Sequence, residues 1–511
     1  MNTKKFILFT LLLIVILLIT VVIRTFTYNF KKVSTLKDQP VTLPINEKAI
    51  KRLSLAIQIP TVSTVVYEET NFKPFDEFKE FLEKEYPLVY QNMATTTVNK
   101  YGLIFHWKGK SNSQKPLLFL SHYDVVPISN YAEDAPLHTE QPIFNPNSSS
   151  APLNEYKTSW SHPPFSGVVE NGRIYGRGTL DMKGMLISIL EASEELLKEG
   201  YQPKQDIYFA FGHDEEVSGR QGALKIADYF KAHNIEFDAV YDEGGFVTSP
   251  KSVLNTVDNA IALIGVAEKG FLTLQITVKG TGGHSSMPPK KGSLVLAAEI
   301  IEKLNTNQMP ATIIPPIENF LNNIGGVMDF KSRLAISNQW LLKGTLLKTL
   351  ENNPGSNALV RTTTAITMAH ASDAPNVLSA ATDITVNFRI LQGNSVDQVM
   401  QHVKDICKDY DVEYKIISQR EPSKLSPHNS EQYKKLEEII AVNYPNAIIT
   451  PYLTIGGTDA YKYEIISDNV FRFMPIEVNE FEQRQIHNED ESITIENYMR
   501  MINHFKLLMQ Q

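Results

Sequence analysis

The chain has 511 residues, 42% hydrophobic and 21% charged, an ordinary composition for a folded enzyme and a length too great for one core. Its formal net charge of −8, with no basic stripe, argues against a nucleic-acid partner. The single cysteine, Cys407, rules out an intrachain disulfide framework and a thiolate-rich zinc site, so histidine must supply any nitrogen ligands.

After a short tail of residues 1–5, Phe6–Ile23 is an apolar run broken only by Thr10 and Thr20. At 1.5 Å per residue it reaches about 27 Å, enough to span a hydrocarbon core. Lys4 and Lys5 precede it; Arg24, Lys31 and Lys32 follow. The expectation is a single-pass membrane anchor with the rest of the chain on the non-cytoplasmic side. The alternative is a cleaved signal peptide and secretion, against which stand the length of the run and the poor cleavage site at Ile19–Arg24. Residues 24–45 read as a polar linker. The sequon Asn147-Ser148-Ser149 matters only in a host that glycosylates.

Asn46–Gln58 predicts a helix with apolar spacing at Ile50, Leu53 and Ile57, and Phe75–Glu85 a second amphipathic helix. Thr97–Trp107 and Pro116–Val125 predict strands. Pro127–Ser161 is long, irregular and rich in Pro, Asn and Ser, a pattern usually functional or flexible. Val168–Tyr175 predicts a hairpin turning at Asn171-Gly172. Helix Met185–Lys198, strand Ile207–Gly212, helix Ala223–Ala232 and strand Phe237–Asp242 then follow the rhythm of a parallel sheet with helices on both faces.

The rhythm changes after Lys269. Phe271–Lys279, Leu359–Met368 and Ala381–Ile390 alternate as half-exposed strands, with helices at Ser293–Leu304 and Val396–Lys408 and an irregular apolar run at Thr312–Trp340. Glu431–Tyr444, Ile448–Thr454 and the helix Ile495–Met509 return to the first style. The fold class expected is α/β: a main domain of residues 46–268 and 393–511 with a mostly parallel sheet, and an inserted, smaller α+β domain of residues 269–392.

Chemistry gathers at element ends. The stretch Tyr208–Gly219 runs an apolar strand into His213-Asp214-Glu215-Glu216, and three consecutive acids after a buried strand are costly unless a cation meets them. Ser121-His122-Tyr123-Asp124 and Tyr241-Asp242-Glu243 end two further strands. His122 and Asp124 point the same way on extended backbone, so Asp124 can orient the imidazole. Asp181, in GRGTLDMKG, is either a ligand or a helix N-cap. Glu215 and Glu216 are adjacent, so one can hold a metal while the other faces a substrate.

The motifs SHYDVVP, GRGTLDMKG, HDEEVSG, YDEGG and GTGGHSSMPP, in that order, resemble the two-zinc exopeptidases of the carboxypeptidase S, aminoacylase and glutamate carboxypeptidase group. WSHPPFSGVVENGRIYGRGTLDMKG and EKGFLTLQITVKGTGGHSSMPP point to the branch of carboxypeptidase S, Gly-X carboxypeptidase and N-fatty-acyl-amino-acid synthase/hydrolase. The likeness runs from about residue 45 to the end.

The resemblance implies two zinc ions per subunit, with His122 and Asp242 on one, Glu216 and His487 on the other, and Asp181 between them. Glu243 is the alternative to Asp242. It implies Glu215 as general base, Asp124 as the residue orienting His122, and His284 of the inserted lid or dimerisation domain as an oxyanion donor that often serves a partner subunit. By composition alone His284 is equally a turn residue and His487 a surface one. Arg389 matches the position that holds a substrate carboxylate, for which a guanidinium is suited; Asn376, Gly457 and Thr458 are further substrate-contact candidates. The implied activity is hydrolysis of an amide next to a C-terminal amino acid, on small peptides or N-acyl amino acids, and reversible with fatty acids within this branch. A dipeptidase or aminopeptidase of the same fold is the alternative. A non-catalytic binding protein should have lost a ligand or the base, and none is missing. Thr312–Trp340 either shapes an acyl pocket or packs within the inserted domain.

Overall fold

The computed structural model describes residues 3–31, 43–128, 160–251 and 257–511. The sequon at Asn147, most of the irregular stretch 127–161 and residues 32–42 of the expected linker lie outside them. The chain forms two compact units. The larger comprises 33–266, 426–449 and 458–511; the smaller comprises 1–32, 267–425 and 450–457.

In the larger unit, strands Ile207–Gly212, Leu117–His122, Ala239–Asp242 and Val470–Arg472 lie side by side in that order and run parallel. Gly102–Trp107 and Ala94–Val98 extend the sheet antiparallel beyond Ile207–Gly212. The stretch expected as one strand from Thr97 is thus a hairpin, turning where Asn99 and Lys100 take left-handed φ of 46° and 70°. Alternation along the parallel strands fills two cores. Phe119, Phe209, Phe211 and Tyr241 face one way, packing with Met185, Ile189 and Phe505 of the helices Lys183–Lys198 and Ile495–Met509. Leu118, Leu120, Ala210 and Val240 face the other, with Ile226 and Phe230 of Ala223–Ala232. Helices therefore cover both faces, as parallel strands buried on both sides require. The parallel direction also brings the C-terminal ends of three strands to one edge, where α/β sheets bind ligands.

In the smaller unit, strands lie in the order Thr363–His370, Ala381–Ile390, Gly270–Lys279, Val412–Arg420, all antiparallel. One face packs Leu272, Leu274, Ile276, Ile384, Val386 and Phe388 against the helices Ser293–Thr306 and Val396–Cys407. Chain up to Leu425 belongs here, past the expected boundary at 392, because Val412–Arg420 pairs with Gly270–Lys279 and completes the sheet.

The apolar run expected as irregular contains the helices Pro315–Gly325 and Phe330–Ser337, followed by Gln339–Glu351 and Pro354–Val360. Proline begins the first and last of them, where its missing N–H costs nothing. Ile317, Phe320, Leu321 and Ile324 form the buried stripe. Pro354–Val360 also displaces the start of the strand expected from Leu359 to Thr363. The buried Lys269 ammonium bonds the carbonyls of Ala358 and Arg361 at the end of that helix.

The N-terminal helix is Thr3–Thr27, exposed along its length except at Val21 and Thr25. It is long and apolar enough to cross a membrane.

Candidate metal centre

Strand Leu117–His122 pairs in parallel register with Ile207–Gly212, placing His122 beside Gly212. The acid cluster that follows Gly212 does not stay extended. Glu215–Val217 is a short 3-10 turn, and the chain reverses through left-handed Ser218 and Gly219. Asp214 closes this loop by accepting the N–H groups of Gln221 and Gly222, each at 2.7 Å. Asp124 braces it from outside: its two oxygens accept the N–H groups of Glu215 and Glu216 at 3.1 and 3.2 Å. Asp124 also accepts Ser63 Oγ at 2.7 Å and lies 3.2 Å from His122 Nδ1. Burial disfavours the charge on Asp124, but these hydrogen bonds prevail and hold its carboxyl below the usual range.

Two trios of donor atoms form around Asp181. His122 Nε2 lies 3.1 Å from Asp181 Oδ1 and 3.3 Å from Glu243 Oε1. His487 Nε2 lies 2.9 Å from Asp181 Oδ2 and 3.0 Å from Glu216 Oε2. Within each trio the donor atoms are all within 4.8 Å of one another. Asp181 thus gives one oxygen to each. It does not cap the following helix, which begins at Lys183 with no side-chain cap.

Asp242 and Glu243 are the two candidates for one ligand position, and the donor geometry groups only one of them with His122. Asp242 belongs to neither trio, and Glu243 takes its place. Asp242 ends its strand on the same face as Val240, which packs with Tyr463; Glu243 lies just past the strand end, with its Oε1 3.3 Å from His122 Nε2. Glu215 belongs to neither trio, but its Oε2 stands 4.0 Å from His122 Nε2.

The loop carrying Asp181 is held by a residue that motif reading did not single out. Glu491, fully buried, accepts the N–H groups of Gly178, Leu180 and Asp181 at 3.0, 2.8 and 3.1 Å and meets Arg177 at 2.6 Å. Arg177 lies over the Trp160 ring. Below the loop, Lys183 Nζ donates to the carbonyls of Ala56 and Ile59, and burial pushes its ammonium down to about 7. A second buried pair, Lys462 and Asp459 at 2.6 Å, stands against the acid loop. A Cβ on Gly219 would lie 2.2 Å from Asp459 Oδ1, so the left-handed turn and the close approach both demand glycine.

The electrostatics ask for a cation. Burial and mutual repulsion raise the carboxyls of Glu215, Glu216 and Glu243, the latter two to about 8. Hydrogen bonds that the His487 imidazole donates to the Asp181 and Glu216 carboxylates lift it to about 10. Glu216 Oε1 is buried without a hydrogen-bond partner among the described residues. Imidazole and carboxylate donors without thiolates suit a divalent metal with a taste for nitrogen and oxygen, and a dication in each trio would offset the crowded acids. The donor set fits a metal.

The remaining candidates lie as follows. Thr458, in the larger unit, caps the 3-10 helix Asp459–Ile465 through Ala460 N–H. In the smaller unit, His284 is exposed, with Nδ1 accepting the Ser286 N–H at 3.1 Å, and Asn376 is joined to the same loop by its carbonyl, which accepts the Ser285 N–H. Arg389 is paired across the sheet with Phe271, which is paired on its other side with Arg420. The two guanidinium groups lie 6.0 and 5.8 Å from the Phe271 ring. Arg420 bonds Glu268 at 3.2 Å, and a Cβ on Gly457 would lie 3.4 Å from its Nη2. Arg389 and Arg420 therefore flank one ring, with Gly457 beside Arg420, whereas His284 and Asn376 are joined through another loop of that unit. Arg420 is on a strand, Val412–Arg420, that the sequence does not single out, being mostly exposed.

The chain belongs to Peptidase family M20/M25/M40, whose sequence profile matches residues 150–511. It is 32% identical over its whole length to the probable carboxypeptidase S-like 2 of Dictyostelium discoideum, covering 94% of that protein. It is 34% identical over 89% of the chain to the N-fatty-acyl-amino acid synthase/hydrolase PM20D1 of Mus musculus, covering 86% of that protein. Among solved structures, the M20 family metallo-carboxypeptidase Sso-CP2 from Sulfolobus solfataricus shares the fold with a TM-score of 0.62 at 19% identity, over 91% of this chain and 99% of that one.

Proposed function

We propose that this enzyme is a two-zinc amidohydrolase that cleaves the amide next to a C-terminal amino acid, as a carboxypeptidase or an N-acyl-amino-acid hydrolase. The observation that carries it is the pair of trios sharing Asp181, with Glu215 beside them and committed to neither. His122, Asp181 and Glu243 would hold one ion, and Asp181, Glu216 and His487 the other. Zinc bound there would polarise the scissile carbonyl and acidify water. Glu215 takes the proton from the attacking water at its carboxylate and delivers it to the leaving amine nitrogen; burial raises its affinity for that proton. Asp124 holds the His122 ring through Nδ1 and the backbone of Glu215 and Glu216 through its oxygens, so base and ligands keep one geometry.

Arg389 is assigned the substrate's free carboxylate, supported by its place beside Arg420. His284 is assigned the oxyanion, with the Ser286 N–H fixing Nδ1 as an acceptor and leaving Nε2 to donate. The helix Thr3–Thr27 is assigned as a single-pass anchor that places the enzyme on the non-cytoplasmic side of a membrane. The exposed edge strand Thr363–His370 is the surface assigned to a homodimer.

The test is hydrolysis of N-acyl amino acids and Gly-X dipeptides by the full chain, with zinc, with chelator, and with Glu215→Gln. Zinc-dependent turnover falling about 10²–10⁴-fold in Glu215→Gln is the expected result. A folded, metal-loaded chain inert on the whole panel, or an unimpaired variant, overturns the assignment.

A further inference from the structure

We infer that the helices Pro315–Gly325, Phe330–Ser337 and Gln339–Glu351 form a platform that lies on the lipid bilayer around the exit of the N-terminal helix. The inference rests on the anchor assigned above and extends it to a surface of the smaller unit.

The first observation is how the helix Thr3–Thr27 is attached. Its exit is not a free stalk. Asn338 Nδ2 donates to Val21 O at 3.2 Å and to Thr25 Oγ1 at 3.0 Å, and Ser337 Oγ bonds Thr25 Oγ1 at 3.1 Å. Arg24 Nε donates to Ser337 O at 2.7 Å. Beyond the helix, Tyr28 donates to Asn322 at 2.9 Å, and the Phe30 ring lies where a Cβ on Gly325 would stand 2.4 Å away. All these groups belong to the smaller unit, so the first two helices and Asn338, at the junction with the third, grip the last turns of the anchor from the side. Whatever bilayer the anchor enters begins at this platform.

The second observation is what surrounds the grip. Phe26, Phe330, Trp340 and Leu341 are 65, 45, 58 and 45% exposed, and the Phe26 and Phe330 rings lie 5.8 Å apart. Phe330 thus extends the exposed apolar surface of the anchor, and Trp340 and Leu341 stand exposed at the start of the next helix instead of turning into the core. The third observation is charge. From Phe330 to Leu350 no acid occurs, while Lys331, Arg333, Lys343 and Lys348 do, and the three lysines are exposed. Tryptophan and phenylalanine with interspersed lysine are the residues that settle at a headgroup boundary, the rings entering it and the ammonium groups reaching anionic lipid. A soluble protein partner would not need this surface to be continuous with a membrane-length apolar helix.

The chain provides its own probe. Its three tryptophans are Trp107, Trp160 and Trp340; Trp107 is 3% exposed in the larger unit, and the anchor has none. The full chain is reconstituted in vesicles of phosphatidylcholine and phosphatidylglycerol whose acyl chains are brominated close to the headgroup, and tryptophan emission is compared with that in unbrominated vesicles. Emission is expected to fall with the brominated lipid, and that loss is expected to vanish in Trp340→Phe. Flotation of the vesicles is read alongside. A chain that floats with the vesicles but is not quenched, or is quenched equally in Trp340→Phe, overturns the platform and leaves the anchor standing. A chain that does not float overturns both.

Discussion

Glu491 holds Asp181 in place without touching its carboxylate: it accepts the Asp181 N–H at 3.1 Å, together with those of Gly178 and Leu180. Four residues before Glu491 in the chain is His487, whose Nε2 meets Asp181 Oδ2 at 2.9 Å. One short segment therefore supplies both a ligand candidate and the clamp on the aspartate that both trios share.

Glu491→Gln keeps the size and one acceptor oxygen but turns an amide N–H either toward Arg177 or toward the three backbone donors. Outer-shell changes of this kind cost about 10–100-fold in metal affinity. Zinc affinity from competition with a chromophoric chelator is expected to fall in that range while far-UV circular dichroism stays unchanged. An unchanged affinity would remove Glu491 from the metal site.

The two adjacent acids after strand Ala239–Asp242 are separable by stoichiometry. Glu243→Ala removes a donor atom from the His122 trio and is expected to lower bound zinc from two equivalents to one. Asp242→Asn is expected to retain both. Metal analysis after gel filtration reads the difference, and the opposite pattern would return the ligand to Asp242.

The metal-free and zinc-loaded proteins should respond oppositely to pH. Glu216 and Glu243 rise from the usual 4.5 to about 8, and His487 from 6.5 to about 10. Raised folded-state values mean that the protonated forms stabilise the metal-free fold. That contribution is complete below the unfolded values and is lost as pH rises through about 8 for the glutamates and about 10 for the histidine. Zinc requires the same groups deprotonated. The gap in Tm between loaded and metal-free protein is expected to widen from about pH 6 to about pH 9, measured by differential scanning calorimetry; a constant or shrinking gap would contradict the donor set.

Lys462 and Asp459 are both buried at 2.6 Å. Lys462→Met leaves the carboxylate uncompensated, which costs about 3–5 kcal/mol. The double variant Asp459→Asn/Lys462→Met is expected to recover much of that loss in urea midpoint. Equal destabilisation by the single and double variants would show that packing, and not charge, is what the pair provides.

What was readable in the sequence follows from period and position. Apolar runs at Leu117–His122, Ile207–Gly212 and Ala239–Asp242 are period-two strands buried on both faces, and their polar ends mark one sheet edge. The order of the motifs led to the family. The choice between Asp242 and Glu243 was not readable, because it depends on which side the first residue past the strand turns. Glu491 was hidden for another reason: a buried acceptor of backbone N–H groups leaves no pattern, and within Glu489-Asp490-Glu491 it looks like a solvated acidic run. The helices between Pro315 and Val360 were obscured by their brevity and by the Gly325-Gly326 break. The strand Val412–Arg420 is mostly exposed, so its weak alternation did not announce a sheet edge.

The clamp also sets a schedule. Glu491 lies 310 residues after Asp181. At about 5–20 residues per second, a ribosome needs roughly 15–60 s to travel between them. Once residue 243 has been added, and so for most of that interval, the nascent chain carries His122, Asp181, Glu215, Glu216 and Glu243, but neither His487 nor the carboxylate that fixes the Asp181 loop. The second trio cannot close until almost the whole polypeptide has been made, so an abandoned translation product ending before this segment holds the acids without the centre they build.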